Sequence, residues 1–128
     1  MEGKNKKILV VDDDNRILES LKAILESEGY TVETAETGEE AVKRNKNNFF
    51  DVALLDIKLP GIQGTELLEI LHKESPRTVK IMMTGFPSLE NAVASLKLGA
   101  DAYIMKPVNP EKLLDVVKKK FKERGKHD

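Results

Sequence analysis

Five short aliphatic runs alternate with five longer segments of helical period, and few folds tolerate that order. The runs lie at 7–11 (KILVV), 31–35 (TVETA), 51–55 (DVALL), 79–83 (VKIMM) and 102–105 (AYIM). Between and after them, apolar residues recur at helical spacing near 15–28, 38–47, 64–74, 88–98 and 110–124. Strand then helix, five times over, predicts a parallel sheet with helices on both faces. The first, third and fourth runs are almost wholly apolar, as strands covered on both faces should be. Asn109-Pro110-Glu111 opens the last helix with a cap, a first-turn proline and an acidic residue at the positive helix end. Gly29 and Gly99 follow two helical segments where C-caps belong.

Length and composition narrow the chemistry. The 128 residues suit one domain with a real core, and no repeat, low-complexity tract or linker divides them. With 34% charged residues and a net charge of −1, overall electrostatics favour neither nucleic acid nor a membrane surface. The absence of cysteine excludes disulfides, thiolate metal sites and cysteine nucleophiles. His72 and His127 are the only histidines, too few for a histidine-rich metal site. No apolar run approaches the roughly 18 residues of a membrane span, and "MEGKNKK" is no signal peptide, so the expected location is cytoplasmic.

Parallel α/β sheets bind ligands outside the carboxyl ends of their strands, so the residues found there matter most. The first run ends in Asp12 and Asp13, the third in Asp56, the fourth in Thr84 and the fifth in Lys106. The second ends in a bland turn, "ETGEE". Adjacent carboxylates repel one another, which calls for a cation. Carboxylates without histidine or cysteine make a hard-oxygen site suited to Mg²⁺, with Mn²⁺ as the alternative. A lysine and a threonine beside such an ion can hold two oxygens of a phosphoryl group. Asp56 is then placed to act as nucleophile, forming an acyl phosphate.

The set "VVDD", "LLDIKLPG", "MMTG" and "AYIMKP", in this order and spacing, resembles the receiver domain of two-component response regulators. The resemblance runs from about residue 6 to 121 and implies a single flavodoxin-like domain over 1–128, with five helices around a doubly wound sheet of order 2-1-3-4-5. It implies that Asp56 is the phosphoacceptor, that Asp13 binds Mg²⁺ directly with Asp12 helping through water, and that the backbone carbonyl of Lys58 is a further ligand. Thr84 and Lys106 would receive the phosphoryl group, Thr84 and Tyr103 would switch with it, and Lys106-Pro107 would be a cis peptide. Lys58 and Phe86 would tune the lifetime of the phosphorylated state. The implied donor is a sensor histidine kinase or a histidine phosphotransfer protein. The output would be a downstream protein target or an effector domain outside this chain, with a phosphorylation-dependent homodimer as a further state. The domain itself would contact no nucleic acid and no membrane, and would be no enzyme beyond its own phosphorylation and dephosphorylation. Leu59 and Gly85 depart mildly from the family pattern, which often has methionine and alanine there.

Plainer explanations cover single residues better than the set. Asp14 alone reads as a helix cap, Met82, Met83 and Met105 as core, His72 as the wet face of its helix, and "KKKFKERGK" as a solvated face and frayed tail. Among rivals, a haloacid-dehalogenase-type phosphatase fails on Arg16, which stands where that motif continues with threonine or valine. A flavodoxin-like FMN site would need a first loop that cradles phosphate, which these aspartates would repel. An EF-hand fails on Ile17 at its glycine position, and no P-loop is present. The remaining alternative is a phosphorylation-independent pseudo-receiver interaction module, against which the intact acceptor, metal, threonine and lysine positions argue.

Overall fold

A computed structural model of the chain describes residues 6–85 and 94–127, with side chains to 123. The strands are β1 (Lys7–Val11), β2 (Thr31–Ala35), β3 (Val52–Asp56), β4 (Val79–Thr84) and β5 (Ala102–Met105). The helices are α1 (Asn15–Glu26), α2 (Gly38–Asn47), α3 (Gly64–Glu74), α4 (described over 94–97) and α5 (Pro110–His127). The sheet is parallel, in the order β2-β1-β3-β4-β5. The order reverses between β1 and β3, the place where such sheets open a crevice.

The sheet divides two apolar clusters. On one face Ile8, Val10, Val52, Leu54, Ile81 and Ile104 pack against α1 (Leu18, Leu21, Leu25) and α5 (Leu113, Val117). On the other, Leu9, Val11, Ala53, Leu55 and Met82 pack against Ala41 of α2 and Leu67, Leu68 and Leu71 of α3. The period-2 alternation of side chains along each strand makes this division. Asp14 caps α1 by accepting from the Arg16 N–H at 2.9 Å, Thr37 caps α2 from Glu40 at 3.1 Å, and Asn109 accepts from Lys112 at 3.1 Å. Gly29 and Gly99 take φ of 95° and 108° at helix ends, a conformation glycine adopts without Cβ strain.

Some sequence expectations need correction. Met105 is 55% exposed, not core, because it ends an edge strand beyond the layer that covers Tyr103. Asp51 lies outside β3 and instead accepts from the Lys7 N–H at 2.8 Å, shifting that strand one residue on. Helix α5 continues to His127 rather than fraying at 124, and half-buried Phe121 packs 5.8 Å from the Tyr30 ring. Lys80 lies buried inside β4, its ammonium donating to the Thr78 carbonyl at 2.6 Å. The expected start of α4 (88–93) and Phe86 lie outside the described residues.

Candidate functional site

Register carries the predicted residues to one edge. Val11 pairs with Leu55, so Asp12 and Asp56 leave neighbouring strands side by side. Thr84 pairs with Met105, and the Lys106 N–H donates to the Thr84 carbonyl at 2.7 Å, which sets Lys106 beside both. The carboxylates of Asp12, Asp13 and Asp56 offer oxygens that all lie within 4.8 Å of one another. Asp13 is exposed, whereas Asp12 is fully buried and Asp56 is 5% exposed.

Lys106 bridges the two buried carboxylates. Its Nζ stands 2.6 Å from Asp12 Oδ2 and 3.3 Å from Asp56 Oδ2. Asp12 Oδ1 accepts from the Asp14 N–H at 2.9 Å, but among the described residues its buried Oδ2 has no hydrogen bond beyond the ammonium contact. Asp56 Oδ1 receives a long contact from the Lys58 N–H, at 3.4 Å. Among the described residues, two buried carboxylates thus share this ammonium, with the exposed Asp13 carboxylate close by and buried oxygen lone pairs left over. That donor set fits a hard divalent cation.

The titration of the cluster reflects this crowding. Burial raises the Asp56 carboxyl above its ordinary value of 3.8, the Asp12 charge raises it further, and Lys106 opposes both without reversing them. For Lys106, burial pulls down, but the hydrogen bond and charge of Asp12, followed by those of Asp56, outweigh it and lift the ammonium above its ordinary value. A carboxyl whose pKa is higher folded than unfolded stabilises the fold while protonated, and that stability is lost as pH rises through the folded value. Asp56 therefore costs stability at neutral pH without a cation. Asp56→Asn is expected to raise the unfolding free energy in EDTA at pH 7 by about 1–2 kcal/mol, the repulsion less the lost Lys106 contact. The gain shrinks toward zero as pH falls to about 4. Urea unfolding at both pH values checks this, and equal stabilities at pH 7 would contradict it.

Thr84 is buried at the end of β4, and Tyr103 is half-buried on β5 with its hydroxyl enclosed. Among the described residues that hydroxyl finds no hydrogen-bond partner, a costly state for a buried polar group. Lys58 is exposed on the loop after Asp56, and the Lys106-Pro107 peptide is cis. Residues away from the strand ends hold that loop: Gly64, jammed against Asp56 and Ile57, and Glu39, which accepts from the Ile62 N–H at 3.1 Å. The glycines of "LPGIQG" were the available signal for the first. No sequence signal marks the second.

Residues 8–118 match the model of the response regulator receiver domain family. The chain belongs to this family. It is 33% identical over 108 residues to the cell cycle response regulator CtrA of Brucella abortus (strain 2308), covering 84% of this chain and 47% of that protein. The receiver thus spans about half the length of the curated relatives it matches. Among solved structures, a CheY-like response regulator receiver domain protein from Methanospirillum hungatei JF-1 is 58% identical, with a TM-score of 0.93 over 96% of this chain and 98% of that one. A response regulator protein from Burkholderia pseudomallei, solved with a phosphorylated aspartic acid, a calcium ion and citrate, is 31% identical, with a TM-score of 0.85 over 96% of this chain and 72% of that one. Receivers are two-component signalling domains that work with histidine kinases and effectors. Among the described residues, no helix is long and apolar enough to cross a membrane.

Proposed function

We propose that Asp56 is the phosphoacceptor of this receiver, taking its phosphoryl group from a phosphohistidine on a sensor kinase or a histidine phosphotransfer protein, in the cytoplasm. The observation that carries this is the shared ammonium: Lys106 lies between Asp56 and Asp12 at the carboxyl edge, with the Asp13 carboxylate close by. An Asp56 oxygen attacks phosphorus as the phosphorus–nitrogen bond to imidazole breaks, and the leaving imidazole takes up a proton. Bound Mg²⁺, or Mn²⁺ in its place, supplies neutralisation of the charge on the transferring group. Asp13 would hold the ion directly, with Asp12, Asp56 and the Lys58 carbonyl completing the protein's share. Lys106 pairs with the incoming phosphoryl group and thereby releases Asp12, while the Thr84 hydroxyl donates to a second oxygen.

Phosphorylation then shifts Thr84 and Tyr103. An enclosed Tyr103 hydroxyl without a partner among the described residues supports a second position in which it finds one. The surface formed by β4, β5, α4 and α5 would thereby favour a downstream target, an effector domain or a second copy of the chain. The phosphorylated aspartic acid and calcium ion of the Burkholderia pseudomallei relative support the same chemistry here.

Intact mass after incubation with acetyl phosphate, with and without Mg²⁺, tests the assignment. One phosphoryl group should be gained only with the metal, and not at all by Asp56→Asn. No gain by the folded parent protein would favour the phosphorylation-independent pseudo-receiver instead.

A further inference from the structure

The loop from Ile57 to Gly64 leaves β3 directly after Asp56 and carries Lys58. Its base is fixed by the Gly64 N–H, which donates to the Ile57 carbonyl at 3.0 Å, and by the Ile57 N–H, which donates to the Met83 carbonyl of β4 at 3.0 Å. Its tip leans on α2. Glu39, in the first turn of α2, accepts from the Ile62 N–H at 3.1 Å. The same carboxylate lies over the Cα of Gly61, so that a Cβ there would stand 2.7 Å from Glu39 Oε1. Gly61 has φ of 73°, and its bare α-carbon lets the carboxylate approach. Beside this contact, Gly38 packs so closely on Ile62 that a Cβ would meet the Ile62 Cβ at 2.8 Å. Among the described residues, the Glu39 hydrogen bond is the polar tether from 59–62 to another element.

We infer that Glu39 is a positioning residue for cation binding: by tethering the loop tip at Ile62 it holds Lys58 where its carbonyl serves the Asp12–Asp13–Asp56 cluster, without touching the ion. This rests on the cluster being the cation site proposed above. A loop closed at its base still has freedom at its tip, and ordering that tip on binding would weaken affinity. Prior tethering by α2 removes that cost. The substitution Glu39→Gln keeps an oxygen acceptor without the charge, whereas Glu39→Ala removes the tether altogether.

The test is a Mg²⁺ titration followed by backbone amide shifts, together with hydrogen exchange at Ile62, on the full chain. The parent protein, Glu39→Ala, Glu39→Gln and Asp13→Asn are compared. Expected is an Mg²⁺ affinity about three- to tenfold weaker in Glu39→Ala, near-parental in Glu39→Gln, and lost in Asp13→Asn. Ile62 exchange should rise in Glu39→Ala alone of the two Glu39 variants. Parental affinity in Glu39→Ala would overturn the tether while leaving the cation site intact. Equal weakening in both Glu39 variants would assign the effect to charge and also overturn it. A parent protein that binds no Mg²⁺ would overturn the cation site itself.

Discussion

Gly64→Ala is expected to lose at least about 3 kcal/mol of stability, enough to unfold a large fraction of the molecules in mild urea. A Cβ at this position would stand 2.2 Å from the Asp56 carbonyl oxygen and 2.6 Å from both the Cα and the carbonyl oxygen of Ile57. All three are main-chain atoms, so no side chain can rotate away. The first residue of α3 must separate from the end of β3, which breaks the Gly64–Ile57 hydrogen bond and disturbs the central strand that carries Asp56. Urea unfolding followed by far-UV circular dichroism measures the loss. Gly85→Ala is the matched control, because among the described residues its Cβ would meet nothing closer than the Lys106 Cβ at 4.0 Å. It should cost no more than about 0.5 kcal/mol. Similar losses from the two substitutions would show that contact with the β3 end is not what demands glycine at position 64.

Lys106→Met should cost about 3 kcal/mol in EDTA at pH 7, the penalty typical of leaving a buried charge unpaired. Its Nζ is 2.6 Å from the fully buried Asp12 carboxylate, and Asp12 Oδ2 has no other hydrogen-bond partner among the described residues. Removing the ammonium leaves two buried carboxylates side by side. Acidification should restore much of the loss, since protonating either carboxyl relieves the repulsion. Mg²⁺ should also stabilise the variant more than it stabilises the parent, because an ion that binds only the folded state acts as a replacement cation. Thermal unfolding across a series of MgCl₂ concentrations and pH values reads both effects. A variant as stable as the parent in EDTA would mean that Asp12 is satisfied without Lys106.

Much of this site is legible in the sequence because a parallel sheet converts chain position into spatial position. Asp12, Asp56, Thr84 and Lys106 each follow or end an aliphatic run, and parallel register brings such ends together whatever lies between. Asp14 is likewise readable as a cap, since capping depends on its immediate neighbours. Other features depend on partners distant in sequence and leave no local trace. Glu39 and Ile62 are 23 residues apart, and nothing in "TGEEA" distinguishes Glu39 from any acidic first-turn residue. Lys80 resembles an interruption of an apolar strand until the Thr78 carbonyl is found beside its ammonium. Met105 misleads for the opposite reason: its hydrophobicity suggests burial, but only the sheet order reveals that β5 is the edge strand among the described residues.

The two apolar clusters have a consequence for how such a chain can diversify. The layer beneath α2 and α3 includes the packing around Tyr103 and the loop after Asp56, whereas the layer beneath α1 and α5 contains neither. Five backbone strands stand between them, so a change of volume in one layer need not be matched in the other. A lineage can therefore reshape the layer that holds Tyr103 and the loop after Asp56 while inheriting the opposite layer unaltered, and two descendants can share half an interior while differing throughout the rest.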